Sequence, residues 1–171
     1  MAPTRVPDTL ETDRLVLRGR RVDDAATYRR LWAERDPRVP EHRRIGADGR
    51  PTVTDVAERL GDEPALLAVH RRDTDEVIGY CGLTGCQSGS PEGPELAFEL
   101  LRAAQGRGYA TEAGRAVIAW ARDAGYPGLW ATVWDWNVAS RRVLAMLGFH
   151  ETGAVTSESV HGRSLLTFRQ L

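Results

Sequence analysis

The stretch from residue 95 to residue 134 constrains this chain more than any other. "ELAFELL" (95–101) reads as a strand of mixed polarity. A turn follows in which Gly106 and Gly108 flank Arg107, and a helix begins near Gly108 and runs to about Ala124. Ala110, Ala113, Val117, Ile118 and Ala121 recur at helical spacing and give that helix one apolar face. Gly125 and Pro127 stop it, and "LWATVW" (129–134) reads as the next strand. Two strands joined through a helix sit parallel, because a parallel pair needs a crossover connection.

The flanking segments supply different partners. "LVLRG" (15–19) is a first strand, and "DDAATYRRLWAE" (23–34) a helix with acidic residues where its dipole favours them. Residues 35–52 carry Pro37, Pro40, Gly46, Gly49 and Pro51 and predict an irregular excursion, followed by a short helix over 53–60. "ALLAVHR" (65–71) and "VIGYCGL" (77–83) flank "RDTDE" as an antiparallel hairpin, and "SGSPEGP" (88–94) is a loop. "NVASRRVLAMLGF" (137–149) has Asn137 to open a helix and Gly148 to close it. "TGAVTSESV" and "RSLLTFRQL" form a final hairpin. The fold class is α/β, with a sheet of mixed direction and one parallel crossover at its centre.

Composition excludes several functions. The length of 171 residues fits one domain, and a net charge of −1 leaves no electrostatic footprint for nucleic acid. All 23 basic residues are arginine. Cys81 and Cys86 have no Cys or His cluster beside them and read as reduced thiols; the four histidines lack metal-ligand spacing, so no metal is expected. The first residues, "MAPTRVPDTLET", lack an apolar signal core, and no apolar run reaches the ~18 residues that span a bilayer. A cytoplasmic protein without membrane or nucleic-acid partners is expected.

The turn "AQGRGYATEA" (104–113) feeds a helix, where free N–H groups and the helix dipole favour an anion. A nucleoside-triphosphate loop ends in Gly-Lys-Ser/Thr, and this chain contains no lysine. A dinucleotide loop wants a third glycine where Thr111 stands and an acidic residue about 20 positions on, where "GLWAT" has none. A turn that merely joins strand to helix stays open on these residues alone.

More residues join a third reading. Gln105-x-x-Gly108-x-Ala110 resembles the Q/R-x-x-G-x-G/A signature of the GNAT acyl-CoA N-acyltransferase superfamily. Residues 95–121 resemble its central strand, pyrophosphate loop and helix, and 136–149 its N-x-x-S-x-x-x-x-x-x-x-G-F block. Residues 10–32, "LETDRLVLRGRRVDDAATYRRLW", look like the opening of the RimJ/RimL-type branch, which acetylates protein N-terminal and other amines. The resemblance covers nearly the whole chain. It implies a mostly antiparallel sheet, with one parallel pair splayed to hold coenzyme A and about four helices around it.

The resemblance also implies roles. The pyrophosphate of acetyl-CoA, the co-substrate, would sit on amides of Gln105, Gly106, Arg107, Gly108, Tyr109 and Ala110, with Thr111 just behind and the Arg107 side chain as a further candidate. The cofactor arm would pair like an added strand with the edge near Phe98, Leu100 and Leu101. The amine acceptor, small molecule or peptide, must lose a proton before attack. Glu99 is the candidate base, working through a water, and Glu95 lies on the same strand face. Glu41 and His42 are weaker acceptor-binding candidates. Many relatives place a tyrosine where this chain has Leu144, which cannot donate; Ser140 is the candidate donor to the leaving sulfur. Asn137 contacts the cofactor arm or caps its helix. Trp130, Trp134 and Trp136 share a face if the strand alternates regularly; Trp134 and Trp136, near its C-terminal end, wall the acceptor pocket or pack in the core. Relatives often dimerise. A catalytically degenerate acyl-CoA sensor is the alternative that Leu144 permits.

Overall fold

The computed structural model describes residues 7–85 and 93–171; Cys86 and most of the 88–94 loop lie outside the described residues. The chain runs β1 (Thr9–Glu11), β2 (Leu15–Gly19), α1 (Ala25–Glu34), α2 (Val53–Arg59), β3 (Leu66–Arg71), β4 (Val77–Thr84) and β5 (Glu95–Leu100). It continues through α3 (Tyr109–Asp123), β6 (Gly128–Trp134), α4 (Val138–Met146), β7 (His150–Ser159) and β8 (Gly162–Gln170).

One eight-stranded sheet has the order β1-β2-β3-β4-β5-β6-β8-β7. Its neighbours pair antiparallel except β5 and β6, the pair joined through α3. The mixed sheet with one parallel crossover and four flanking α-helices is thus the architecture the sequence predicts. The helix predicted over 137–149 is shorter, ending at Met146, because Gly148 at φ 81° turns the chain out of it. Strand β1 was carried by no sequence signal; it extends the sheet past β2 by three paired residues.

Each sheet face buries its own helices. Leu15, Leu17, Leu67, Cys81, Leu83, Leu96 and Leu129 pack against Ala113, Val117, Ile118 and Ala121 of α3 and Leu144 of α4. Each fully buried leucine contributes about 1.5–3 kcal/mol. On the other face Tyr28 and Leu31 of α1, Val56 of α2, Ala68 and Leu101 form a smaller core. Burial pushes the Cys81 thiol up to about 12, which makes it a poor nucleophile.

The acidic start of α1 does more than face a dipole. A 3-10 turn over Val22–Asp24 precedes the helix, and Asp24 is buried. It accepts from Arg18 Nη1 and Nη2 at 2.8 and 3.0 Å and from the Arg21 amide at 2.8 Å. Burial alone would raise the Asp24 pKa; these bonds and the adjacent guanidinium charges outweigh it and hold it below the usual range. Helix α2 opens on a reciprocal cap between Thr52 and Asp55.

Candidate active site

The loop between β5 and α3 presents main chain rather than side chains. A 3-10 turn (Arg102–Ala104) leads into Gln105, whose side-chain amide donates to the Leu100 carbonyl at 2.9 Å. Gly106 and Gly108 have φ of 72° and 80°, a left-handed conformation that glycine adopts without strain. Gly108 is the N-cap of α3 and brings no side-chain cap. The first-turn amides of the 15-residue α3, at Tyr109, Ala110 and Thr111, therefore receive no cap bond from that position. Gln105, Gly106, Arg107 and Gly108 are exposed, whereas the Tyr109 and Thr111 side chains are buried.

A clamp fixes this loop. Arg14 Nη1 donates to the Arg107 carbonyl at 3.0 Å, and Arg14 Nε donates to Glu112 Oε2 at 2.7 Å. Glu112 Oε1 accepts from Thr12 Oγ1 at 2.6 Å and from the Arg14 amide at 3.0 Å. The Arg14 guanidinium also lies 4.5 Å above the Tyr109 ring. Burial raises the Glu112 pKa, but the Thr12 and Arg14 bonds outweigh it and hold the carboxyl below its usual range.

Beside the loop the sheet opens. The parallel ladder has one pair, Glu95 with Trp130, tied by the Trp130 amide to the Pro94 carbonyl at 3.1 Å. Beyond it β5 and β6 run on without a ladder. By strand alternation from that bond, the main-chain groups of Phe98 and Leu100 face the gap. Leu101 does not join them: its amide donates to Ile78 O at 2.8 Å and its carbonyl accepts from Ala104. Its side chain lies in the smaller core, so the edge expected at Leu101 ends at Leu100.

Glu99 occupies the sheet face that carries α1, in an arrangement the sequence does not anticipate. Arg35 Nε and Nη2 donate to its Oε1 and Oε2 at 2.8 and 2.7 Å, and Tyr80 Oη donates to Oε2 at 3.0 Å. Arg35 Nη1 reaches across to the Arg43 carbonyl at 2.7 Å, and the guanidinium stacks 4.3 Å from the Trp32 ring. Burial disfavours the Arg35 charge, but Glu99 outweighs it and the pKa is raised. Burial and the Glu99 charge also raise that of Tyr80. A carboxylate held ready for a proton through water was the expectation; this one already accepts on both oxygens. Glu95, on the same face, is buried at the root of the splayed pair.

Helix α4 begins at the C-terminal end of β6. Asn137 Oδ1 accepts from the Ser140 amide at 3.1 Å, so Asn137 is a helix cap. Ser140 is half-buried in the first turn, and Leu144 is in the core. The three tryptophans divide. Trp130 packs on Phe168 with ring centroids 4.6 Å apart. Strand β6 ends at Trp134, so alternation does not carry to Trp136; that ring stacks on Trp134 at 6.1 Å and 9°. Its Nε1 donates to the His161 carbonyl at 2.8 Å.

Trp134 walls an open groove of about 900 Å³, with the Glu41–Arg44 segment on one side and Ser157, Ser159 and His161 of the last hairpin on the other. Glu41 and His42 both line it. The irregular excursion and the final hairpin thus meet at the same strand ends as the glycine loop. Among the described residues no group of three or more His, Cys, Asp or Glu is placed to hold a metal, and no helix is long and apolar enough to cross a membrane.

The sequence model of the acetyltransferase (GNAT) domain matches residues 14–150. The chain belongs to the GNAT acetyltransferases. Among its GNAT relatives, an uncharacterised N-acetyltransferase, p20, of Bacillus licheniformis is 28% identical over 170 residues, covering 91% of this chain and 90% of p20. An acetyltransferase of Agrobacterium tumefaciens strain C58 is 26% identical, with a TM-score of 0.74 over 100% of this chain and 98% of that one. The microcin C7 self-immunity acetyltransferase MccE, solved with acetyl-CoA and AMP, shares the fold at 13% identity, with a TM-score of 0.70 over 94% of each chain.

In this GNAT chain the sequence signals miss four residues that hold the site. Arg14, Arg35 and Tyr80 carry no motif, and their partners lie far along the chain. Glu112 reads from sequence as a first-turn acid suited to the helix dipole; its larger role is as anchor for Arg14.

Proposed function

We propose that this GNAT acetyltransferase moves an acetyl group from acetyl-CoA to the nitrogen of a primary amine, in the manner of the RimJ/RimL-type branch that residues 10–32 resemble. The observation that carries this reading is the splayed β5–β6 pair opening beside an uncapped, glycine-lined helix start. Such a start suits a pyrophosphate, because amides and dipole converge there and no Cβ stands in the way.

Acetyl-CoA supplies a thioester that a deprotonated amine attacks, with release of the coenzyme A thiol. The amides from Gln105 to Ala110, with that of Thr111, would hold its pyrophosphate, while Arg14 fixes the loop through the Arg107 carbonyl. The main-chain edge at Phe98 and Leu100 would hold the arm, as an added strand does. The Ser140 hydroxyl is the donor proposed to the leaving sulfur, in the place that Leu144 cannot fill. Asn137 serves by setting the start of α4. Glu99, paired with Arg35, holds the β5 edge against the acceptor segment, and the amine gives its proton to solvent in the groove. Trp134, Glu41 and His42 belong to the acceptor side.

Turnover with a panel of primary amines, read by released thiol and by product mass, tests the proposal. N-acetylated product with stoichiometric thiol supports it. Tight acetyl-CoA binding without turnover of any amine would instead make the chain an acyl-CoA sensor.

A further inference from the structure

The ion pairs around the groove restrict what it can receive. Glu99 is the carboxylate at this end of β5, and Arg35 neutralises it through both oxygens. Asp36 is held by Arg38 at 2.9 Å and Asp135 by Arg163 at 3.3 Å. The charged residues that line the groove, among the described ones, are then Glu41, Arg43 and Arg44. All three come from the excursion after α1; the facing hairpin contributes Ser157, Ser159 and His161, and β6 contributes Trp134. Two guanidinium groups oppose one carboxylate, and the imidazoles of His42 and His161 can add positive charge but never negative.

Neither arginine is committed to an acid. Arg44 is anchored by its Nε to the Val39 carbonyl at 2.8 Å, and the Arg43 carbonyl is anchored by Arg35 at 2.7 Å. Among the described residues neither guanidinium has a carboxylate within ion-pair distance. The Nε bond places the Arg44 head and leaves its two terminal nitrogens for a ligand; the carbonyl bond fixes the Arg43 backbone at the groove and leaves its exposed side chain to reach one. A polycationic amine would bring like charge to this lining. An amine with its own carboxylate matches both signs, with planar guanidinium forks for the carboxylate and Glu41 for the amine end. Trp134, backed by Trp136 whose own ring lies under the Arg38 guanidinium at 4.2 Å, adds one apolar wall suited to an aromatic or aliphatic side chain.

We infer that the acceptor is an amine bearing a carboxylate, an α-amino acid or a compound of that kind, and that Arg43 and Arg44 read the carboxylate. The inference rests on the proposed acetyl transfer and on this groove being its acceptor side.

Matched pairs test it. Tyrosine against tyramine, and phenylalanine against phenethylamine, differ by the carboxylate alone; spermidine serves as the polycation. With the full chain and acetyl-CoA, kcat/KM for each amino acid should exceed that of its decarboxylated partner by about tenfold or more, the scale of hydrogen bonds to a charged group. Arg43→Gln and Arg44→Gln should each pull that ratio toward one, and acetyl-CoA affinity reports whether each variant is folded. Equal or better use of tyramine, phenethylamine or spermidine overturns the inference and leaves acetyl transfer standing. A ratio untouched by both variants also overturns it. No acetylation of any of the five amines, with acetyl-CoA bound, overturns the inference, and the wider panel of primary amines then decides whether acetyl transfer itself stands.

Discussion

Arg35 and Glu99, 64 residues apart in sequence, meet through two parallel hydrogen bonds of 2.8 and 2.7 Å. Their side chains are 13% and 23% exposed, so water screens the pair little. The same guanidinium ties the segment after α1 to the sheet through the Arg43 carbonyl. One residue at the end of α1 thereby sets the distance between the central strand and the wall of the groove.

Glu99→Gln separates a strut from a base. A general base contributes roughly 10²–10⁴-fold to turnover. If Glu99 positions the groove, the variant keeps kcat within about tenfold, raises the acceptor KM and loses about 2 kcal/mol of stability, less than the ~3–5 kcal/mol of a fully buried broken pair. Arg35→Gln should give the same phenotype, and the double variant should cost less than the sum. Steady-state kinetics and thermal unfolding read all three. A drop in kcat beyond about 100-fold in Glu99→Gln alone, with stability intact, returns Glu99 to the role of base.

Gly108→Val tests the loop. The residue sits at φ 80°, where a β-branched side chain is strained, and its Cβ would come 3.4 Å from Arg14 Nη2. The amides behind it would be shielded and the loop displaced. Acetyl-CoA affinity by calorimetry should fall by at least about tenfold, with α3 still formed by circular dichroism. Unchanged affinity sinks the assignment of the loop.

The central crossover was legible because its signals are local. Gly106, Gly108 and the spaced apolar residues of α3 announce strand, turn and helix within one window. Position also places Asn137 at a helix start and Glu41 and His42 beside the groove. Pairing across the fold was not legible. Nothing near Glu99 in sequence reveals Arg35, and nothing near Glu112 reveals Thr12 and Arg14. The sequence puts Leu101 on the cofactor edge because alternation cannot say where a strand yields to a 3-10 turn. Alternation also cannot carry Trp136 onto the face of Trp134, because the strand ends between them, yet the two rings do stack.

Acid should weaken two joints for the same cause. Asp24 and Glu112 both have depressed pKa values in the folded chain. A carboxyl with a lowered folded pKa stabilises fully above its unfolded value, ~4 for these types, and loses that contribution as pH falls through the folded value. Unfolding free energy should therefore be flat from neutrality to about pH 5 and fall below about pH 4. Asp24→Asn and Glu112→Gln should each lower stability at pH 7 and flatten the acid fall. A fall of unchanged steepness in both variants assigns the acid sensitivity elsewhere.

Asn137 and Ser140 can be taken apart because their bond uses the Ser140 amide, not its hydroxyl. Asn137→Ala removes the cap of α4 and should cost about 1 kcal/mol of stability. Ser140→Ala leaves the cap bond intact, so its effect on stability should be within about 0.5 kcal/mol. Any change in turnover then reports the hydroxyl itself. If that hydroxyl donates to the departing thiolate, a hydrogen bond to a charged group is lost only as charge develops. The kcat should fall by about tenfold or more while acetyl-CoA affinity stays within about twofold. Ser140→Thr, which keeps a hydroxyl, should recover part of the rate. Equal kcat in the alanine variant leaves Ser140 as a residue of the helix start alone, and the thiolate then takes its proton from solvent.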